Sequence, residues 1–315
     1  MRAAIVEAFG EAPRLGEFAA PVAEGDEVLV TVAAAALKQL DRALAGGRHY
    51  ASPQKLPVVC GTDGVGITGT GDRVYFAVNR HPFGAMAQVA PASWTVPVPD
   101  DLDNAVAAAI VNPAIGAWLP LQWRGRLEAG ETVLVMGATG TTGRIAVAAA
   151  RLLGAGKVVA AGRNQEALAA LDADETIDLA LDTPALRTRF TDLAADGIDL
   201  IIDYVWGAPV ELLITRLAAS DLAKSAGKPV RLVSVGEMAG STITLPSTAL
   251  RGSWLEIVGS GTGNFPPLAA LKATVREIFD HAASGAIGIA VDERPLAEVE
   301  AAWIAASARR IVLVP

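Results

Sequence analysis

A glycine-rich turn between an apolar run and an alanine-rich segment is the part of this sequence best suited to binding a reactive ligand. The apolar run ends at residue 137, and helical spacing of apolar residues begins near residue 143. A strand, a tight turn and a helix in this order bring backbone N–H groups and a helix N-terminus to one point, which can hold a pyrophosphate. We therefore predict a nucleotide-binding turn made of Gly137, Ala138, Thr139, Gly140, Thr141, Thr142 and Gly143.

The residues of the turn differ in what each can contribute. Ala138 stands where the strict fingerprint has its first glycine, which is tolerable if its φ stays negative. Gly140 lets the backbone approach a pyrophosphate, and Gly143 allows close packing of helix on strand. Thr141 and Thr142 add hydroxyls that can cap the helix or touch phosphate. The glycines alone are also compatible with a strand–helix–strand unit that binds nothing.

The residue type after the next apolar run indicates which nucleotide binds. Arg163 follows the run 157–162, twenty residues beyond Gly143, and residues 160–164 contain no acid. An acidic residue there binds the ribose 2′-hydroxyl of NAD, whereas arginine suits the 2′-phosphate of NADP. Gly162 and Asn164 flank it, and Asn164 can add a donor. The sequence predicts NADPH, the alternative being a solvated arginine at a strand end.

Later strand ends should line the same crevice, because ligands of doubly wound sheets sit beyond the carboxyl ends of the strands. We read strands at 132–137, 157–162, 175–178, 198–204, 230–235 and 254–259, with helices near 143–154, 164–171, 184–195 and 208–219. Strands that alternate with helices predict a doubly wound parallel sheet. The candidate ligand-lining residues are Tyr204, Val205, Val235, Gly236, Gly259, Ser260 and Gly261. For those that follow the fourth and fifth strands (Tyr204, Val205, Val235 and Gly236), the alternative is a role in packing only.

The rest of the chain has a different pattern of apolar residues. Short apolar runs separated by Gly, Pro and Asp fill residues 1–115 and predict an antiparallel β domain. After 262 come helical patterns near 267–284 and 296–307, then a final strand at 310–314 that we expect to rejoin the first domain. Two domains fit a chain of 315 residues.

Composition limits the binding partners and the cellular compartment that we expect for this protein. The formal net charge of −8 disfavours nucleic acid or an anionic membrane surface as a partner, because both reward basic patches. Cys60 is the single cysteine, so no intrachain disulfide can form. No secretory pattern opens the chain, and the apolar runs look broken by charge, Gly or Pro before membrane-spanning length. We expect a cytoplasmic protein.

Over essentially its whole length the sequence resembles the medium-chain dehydrogenase/reductase superfamily, in its zinc-free quinone oxidoreductase branch. The markers are residues 61–66, 112–114, 137–143, 199–205, 257–261 and 295–303. The resemblance implies an α/β fold: a GroES-like β domain, here residues 1–118 with 262–315, plus a Rossmann doubly wound parallel sheet at 119–261. It also implies a homodimer, because the 257–261 strand region of relatives often lies near a subunit contact.

The resemblance also bears on metal and catalytic residues. Zinc-dependent relatives carry Cys and His where this chain has Lys38 and Thr62, so we expect no metal site. Lys38 lies in the family region that lines the active-site cleft, where it can bond the ribose or polarise a carbonyl; an ion pair with Asp41 is the alternative. Tyr50 can donate a proton or form one wall of the acceptor slot, the alternative being loop packing. Asn112, placed in a loop leading into the second domain, can donate to the nicotinamide side.

The expected reaction follows from these assignments. Without a metal, alcohol oxidation loses its Lewis acid, whereas hydride transfer from NADPH to a quinone or an α,β-unsaturated carbonyl needs less assistance. We expect an NADPH-dependent quinone or enone oxidoreductase acting on a small molecule. Two alternatives remain: an enoyl-thioester reductase, and a non-catalytic NADPH-binding or sensor protein with the same fold and nucleotide site.

Overall fold

The computed structural model describes residues 1–219 and 228–315. The chain divides into two compact units, Met1–Asn112 with Lys272–Pro315, and Pro113–Leu271. The second unit begins six residues before, and ends ten residues after, the predicted second domain. Each boundary falls inside a helix and not in a linker.

Strands and helices are numbered in chain order. The strands are β1 Arg2–Val6, β2 Arg14–Glu17, β3 Val28–Ala36, β4 Val58–Val59, β5 Asp63–Thr68, β6 Arg73–Ala77, β7 Val89–Ala92, β8 Trp94–Pro97, β9 Thr132–Met136, β10 Lys157–Gly162, β11 Glu175–Asp178, β12 Leu200–Asp203, β13 Val230–Ser234, β14 Leu255–Gly259, β15 Val291–Pro295 and β16 Arg310–Val314. The α-helices are α1 Gln39–Ala45, α2 Asn104–Trp118, α3 Thr141–Leu152, α4 Gln165–Ala169, α5 Thr183–Asp196, α6 Gly207–Ala219, α7 Ser247–Arg251, α8 Leu268–Ala283 and α9 Val299–Ile304.

The first unit is built on mostly antiparallel strands. One sheet has the order β2-β1-β4, and a larger one has the order β15-β16-β3-β5-β6-β8, with β7 also paired to β3. The C-terminal strand β16 pairs with β3, Val312 opposite Ala36, which confirms the prediction that the end of the chain rejoins the first domain. Residues that alternate inward, among them Val30 and Phe76, form its core.

The second unit holds one six-stranded parallel sheet in the order β11-β10-β9-β12-β13-β14. The chain reverses its direction of winding between β9 and β12, so the predicted doubly wound parallel sheet of the Rossmann type is confirmed. Buried apolar residues such as Leu134, Ile201 and Phe190 pack helices against it. The carboxyl ends of β9, β10 and β12 lie side by side, which places the turns after them together.

The expectation that charge, Gly or Pro interrupts every long apolar run is wrong for the stretch Asn104–Arg124. The helix α2 runs unbroken through Pro113 and continues as a π-helical turn, Leu119–Arg124, in which the Gly125 N–H donates to the Pro120 carbonyl at 2.8 Å. By length and hydropathy this stretch of 21 residues is a candidate membrane span, although 78% of its most apolar window is buried inside the protein. Proline breaks a helix less reliably than the sequence reading assumed, because surrounding packing can hold the helix together.

Candidate functional site

The turn after β9 is fixed to the neighbouring strand. Gly137 has φ +87°, which favours glycine, and its N–H and that of Ala138 both donate to the Ala161 carbonyl at 2.8 and 2.9 Å. Ala138 is fully buried and keeps a negative φ. An alanine in place of the first fingerprint glycine is therefore accommodated, since the left-handed residue of this turn is Gly137.

Two glycines of the turn have different surroundings. A Cβ on Gly143 would lie 2.7 Å from the Ala138 Cα and closer still to the Gly137 carbonyl oxygen, so only glycine fits where α3 packs on β9. A Cβ on Gly140 would meet nothing nearer than 3.5 Å, and this residue is exposed. Gly143 thus packs closely, as its predicted role requires, whereas the approach of a ligand to Gly140 stays a prediction.

The helix α3 begins at Thr141, two residues earlier than predicted. Its N-cap is Gly140, which supplies no side-chain acceptor, and neither Thr141 nor Thr142 caps the helix. The N–H groups of the first helical turn have no intrahelical acceptor, and the positive end of the helix dipole lies there. Because Gly140 and Thr141 are exposed, this end of α3 is open to an anionic ligand.

The residues after β10 lie beside the same turn. A Cβ on Gly162 would come within 2.7 Å of the Thr139 Cγ2 atom, so Gly162 packs directly against Thr139. Arg163 is exposed, and no carboxylate within the described part of the chain pairs with it. Asn164 caps α4, its Oδ1 accepting from the Ala167 N–H at 3.0 Å, which leaves its amide N–H groups as donors.

An acidic residue that the sequence reading missed lies next to Gly162. Asp178 is opposite Gly162 in the register of β10 and β11. Its carboxylate accepts from the Gln165 amide at 2.5 Å and from the Ala180 N–H at 2.7 Å. These hydrogen bonds, that of Gln165 foremost, lower the pKa of Asp178. The carboxylate is thus engaged locally instead of pairing with Arg163.

The turn after β12 contacts the glycine-rich turn. A Cβ on Gly137 would lie 3.1 Å from a Val205 methyl and 3.3 Å from the Tyr204 Cβ, so both predicted residues border it. The Tyr204 hydroxyl, however, donates to the Gly116 carbonyl at 2.8 Å. Burial raises the pKa of Tyr204 far above its usual range. Its hydroxyl is therefore a structural donor.

Asp203, which the sequence reading did not select, holds the turn after β12 in place. Its carboxylate is fully buried and accepts from the backbone N–H groups of Val205 at 2.8 Å and of Trp206 at 3.1 Å. Trp206 has φ +51°, an unfavourable value that these hydrogen bonds help to hold. Burial raises the pKa of Asp203 to about 6, although the two backbone donors act in the opposite direction.

The predicted residues after β13 and β14 continue this edge of the sheet. The N–H groups of Val235 and Gly236 both donate to the Asp203 carbonyl, and the Ser260 N–H donates to Ser234. The Gly259 carbonyl accepts from Arg124 at 2.7 Å, and the Gly261 N–H donates to the Asn264 side chain at 2.9 Å. Each of these backbone groups thus forms a hydrogen bond within the second unit.

Lys38 belongs to a buried charge cluster of the first unit. It is 2% exposed, and its ammonium lies 3.4 Å from Asp41, 3.2 Å from Asp63 and 3.1 Å from the Ala36 carbonyl. Burial opposes the charge, but the two carboxylates outweigh it and raise the pKa of Lys38. The ion pair with Asp41 left open by the sequence is present, and the ammonium is surrounded by acceptors within the protein. These contacts fit a structural role, and the predicted contact of Lys38 with ribose or substrate stays a prediction.

The other residues proposed for the first unit have different positions. Tyr50 is 73% exposed, and its ring lies 4.1 Å from that of His49. Thr62 donates its hydroxyl to Asp63 at 2.8 Å. Asn112 lies within α2 and not in a loop as predicted, because the helix passes unbroken through this region. Among the described residues no group of three or more His, Cys, Asp or Glu is placed to hold a metal ion.

The chain is similar in sequence to known oxidoreductases. No protein-family model matches the chain. A probable NADPH-dependent quinone reductase of Emericella nidulans is 29% identical over 240 residues, covering 69% of this chain and 63% of that protein, so the match spans less than two thirds of the relative. An alcohol dehydrogenase of Geobacillus stearothermophilus is 26% identical and covers 95% of this chain and 93% of its own length.

Among solved structures, the quinone oxidoreductase of Thermus thermophilus, studied alone and with NADPH, superposes with a TM-score of 0.79 at 26% identity, covering all of both chains. This likeness includes both the antiparallel unit, GroES-like in such proteins, and the Rossmann unit. Quinone reductases and an alcohol dehydrogenase share one superfamily, and both align with this chain. These similarities are consistent with the medium-chain dehydrogenase/reductase superfamily and its quinone oxidoreductase-like branch.

Proposed function

We propose that the protein is an NADPH-dependent oxidoreductase that transfers hydride to a quinone or an α,β-unsaturated carbonyl. The observation that carries the proposal is the open N-terminus of α3 at Gly140, next to an exposed Arg163 that no described carboxylate neutralises. The names of the relatives, which are quinone reductases with NADPH, support it.

The residues present fit NADPH. Gly140 leaves room for a pyrophosphate at the first N–H groups of α3, where the helix dipole favours negative charge. Arg163 offers a planar fork of donors for the 2′-phosphate, and Asn164 offers amide N–H groups beside it. Bound NADPH would supply the hydride. The protein supplies orientation and keeps competing solvent away from the reacting atoms.

We propose that the reaction needs no metal. At the position where zinc-dependent relatives place a cysteine ligand, this chain has the Lys38 ammonium, held between Asp41 and Asp63. A divalent cation brought there would meet a buried positive charge at close range. Cys60 is buried, and burial raises the pKa of its thiol above its usual range, so a thiolate ligand is disfavoured at neutral pH.

We propose a homodimer formed through β14. This strand is the open edge of the six-stranded sheet, and Ile257 and Val258 on it are only half-buried. Trp254, just before it, is 52% exposed. An apolar edge strand stabilises itself by pairing, and a second copy of the chain offers the same strand. Light scattering of the purified protein is expected to give twice the chain mass; the mass of one chain would contradict the proposal.

Steady-state kinetics test the proposed reaction. NADPH consumption would be followed with a simple quinone, an ortho-quinone, a short enone and an enoyl thioester, with NADH in parallel. We expect turnover with a quinone or the enone and a preference for NADPH. Arg163→Leu should weaken that preference, whereas Arg187→Leu, which alters an exposed arginine on α5, should not.

The other outcomes of this assay separate the alternatives. Turnover with the enoyl thioester alone would reassign the protein to the enoyl-thioester reductases. Binding of NADPH without reduction of any acceptor would favour a non-catalytic sensor. Failure to bind either nucleotide would contradict the nucleotide site itself.

A further inference from the structure

A second arginine lies beside the glycine-rich turn. Arg144 follows Gly143 in the first turn of α3, and its Nε donates to the Thr139 carbonyl at 3.0 Å. The side chain therefore folds back over the start of the helix instead of extending along it. The residue is exposed, and this hydrogen bond engages one of the five donors of its guanidinium.

Thr139 connects Arg144 with the end of β10. The carbonyl of Thr139 accepts from Arg144, while its side chain packs against Gly162, within 2.7 Å of where a Cβ would be. Arg163 is the next residue after Gly162. Arg144 therefore contacts Thr139 from α3, and Arg163 directly follows the residue that contacts Thr139 from β10.

Neither guanidinium is neutralised by a neighbour. Arg151 and Arg189 of the same unit each pair with an acidic side chain. Across the described ranges no carboxylate lies within ion-pair distance of Arg144 or Arg163, and the acid opposite Gly162 is engaged by Gln165. Two unneutralised arginines on segments that both meet the half-buried Thr139 make this region strongly positive, and a doubly charged anion would stabilise them.

We propose that Arg144 is a second cationic contact for the 2′-phosphate of NADPH, opposite Arg163, and thus a residue that determines nucleotide specificity. The inference rests on the proposed function. With Nε held by Thr139, the two terminal nitrogens of Arg144 stay oriented for bidentate donation to phosphate. The pyrophosphate has its own donors in the N–H groups of α3, so the charge of Arg144 acts on the additional phosphate.

Calorimetric titration with two fragments tests this inference. 2′,5′-ADP carries the 2′-phosphate, and 5′-AMP lacks it. Arg144→Gln keeps a donor for Thr139 but loses the charge. We expect it to weaken 2′,5′-ADP binding about 10- to 100-fold, the range of one or two charge-assisted hydrogen bonds, and to change 5′-AMP binding less than about 3-fold. The control Arg187→Gln should change neither, and thermal melting checks that each variant is folded.

The outcomes distinguish this inference from the proposed function. Equal weakening of both fragments by Arg144→Gln would overturn the inference in favour of a contact with the 5′-phosphate. No change for either fragment would overturn it as well, while leaving NADPH binding through Arg163 intact. If the wild-type protein binds neither 2′,5′-ADP nor NADPH, the proposed function itself fails.

Discussion

Alanine substitutions at Gly143 and at Gly140 should distinguish the packing role of the first glycine from the ligand-binding role of the second. In Gly143→Ala the new Cβ lies 2.7 Å from the Ala138 Cα, about 0.7 Å inside ordinary contact, and still closer to the Gly137 carbonyl. These neighbours are backbone atoms that cannot rotate away. Overpacking of this kind costs about 1–3 kcal/mol, and the better helix propensity of alanine returns at most about 1 kcal/mol.

The expected results for the two variants are opposite. Gly143→Ala should lower the free energy of unfolding by about 1–2 kcal/mol and Tm by several degrees, because α3 is pushed away from β9. Gly140→Ala, whose Cβ meets nothing within 3.4 Å and whose φ of −72° alanine adopts readily, should change Tm little. It should nevertheless weaken NADPH binding by about 10-fold or more, because the Cβ occupies the space of the pyrophosphate.

Urea unfolding and fluorescence titration with NADPH measure the two effects separately. Unchanged stability of Gly143→Ala, or unchanged NADPH affinity of Gly140→Ala, would refute the corresponding part of the reasoning. Loss of stability in Gly140→Ala without loss in Gly143→Ala would refute all of it.

Three further predictions concern single side chains. The folded protein retains the Asp203 proton up to about pH 6, whereas the unfolded chain releases it near pH 4. The free energy of unfolding should therefore fall by about 3 kcal/mol from this group as pH rises between these values, and Asp203→Asn should lack that fall in urea titrations across the range. Lys38→Met should destabilise by about 3–5 kcal/mol, because Asp41 and Asp63 lose their buried counter-ion; a Tm equal to wild type would contradict this. Tyr50→Phe should lower kcat with little change in NADPH affinity, and unchanged kcat would remove Tyr50 as a proton donor.

Features formed by neighbours in the chain could be predicted from the sequence. The glycine-rich turn and the position of Arg163 depend on a local order of strand, turn and helix, which composition and spacing reveal. The doubly wound parallel sheet could be predicted as well, because strands alternate with helices along the second half of the chain. Lys38 and Asp41 lie three residues apart, so their ion pair was visible as an alternative.

Features created by register or packing could not be predicted. Asp63 reaches Lys38 from another element, and Asp178 lies opposite Gly162 only because β10 and β11 pair in one register. The backward direction of the Arg144 side chain depends on its rotamer. The helix through Pro113 persists because tertiary packing outweighs local propensity, so the expected loop around Asn112 does not form.

The most direct test of the central claim is the fate of deuterium placed at C4 of the NADPH nicotinamide. Protein, labelled NADPH and a quinone would be mixed for one turnover, and the NADP⁺ product analysed by mass spectrometry for each of the two C4 epimers. A single nicotinamide orientation predicts that one epimer gives fully deuterated NADP⁺ and the other gives unlabelled NADP⁺. Partial labelling from both epimers, or formation of NADP⁺ that does not depend on the quinone, would contradict the account.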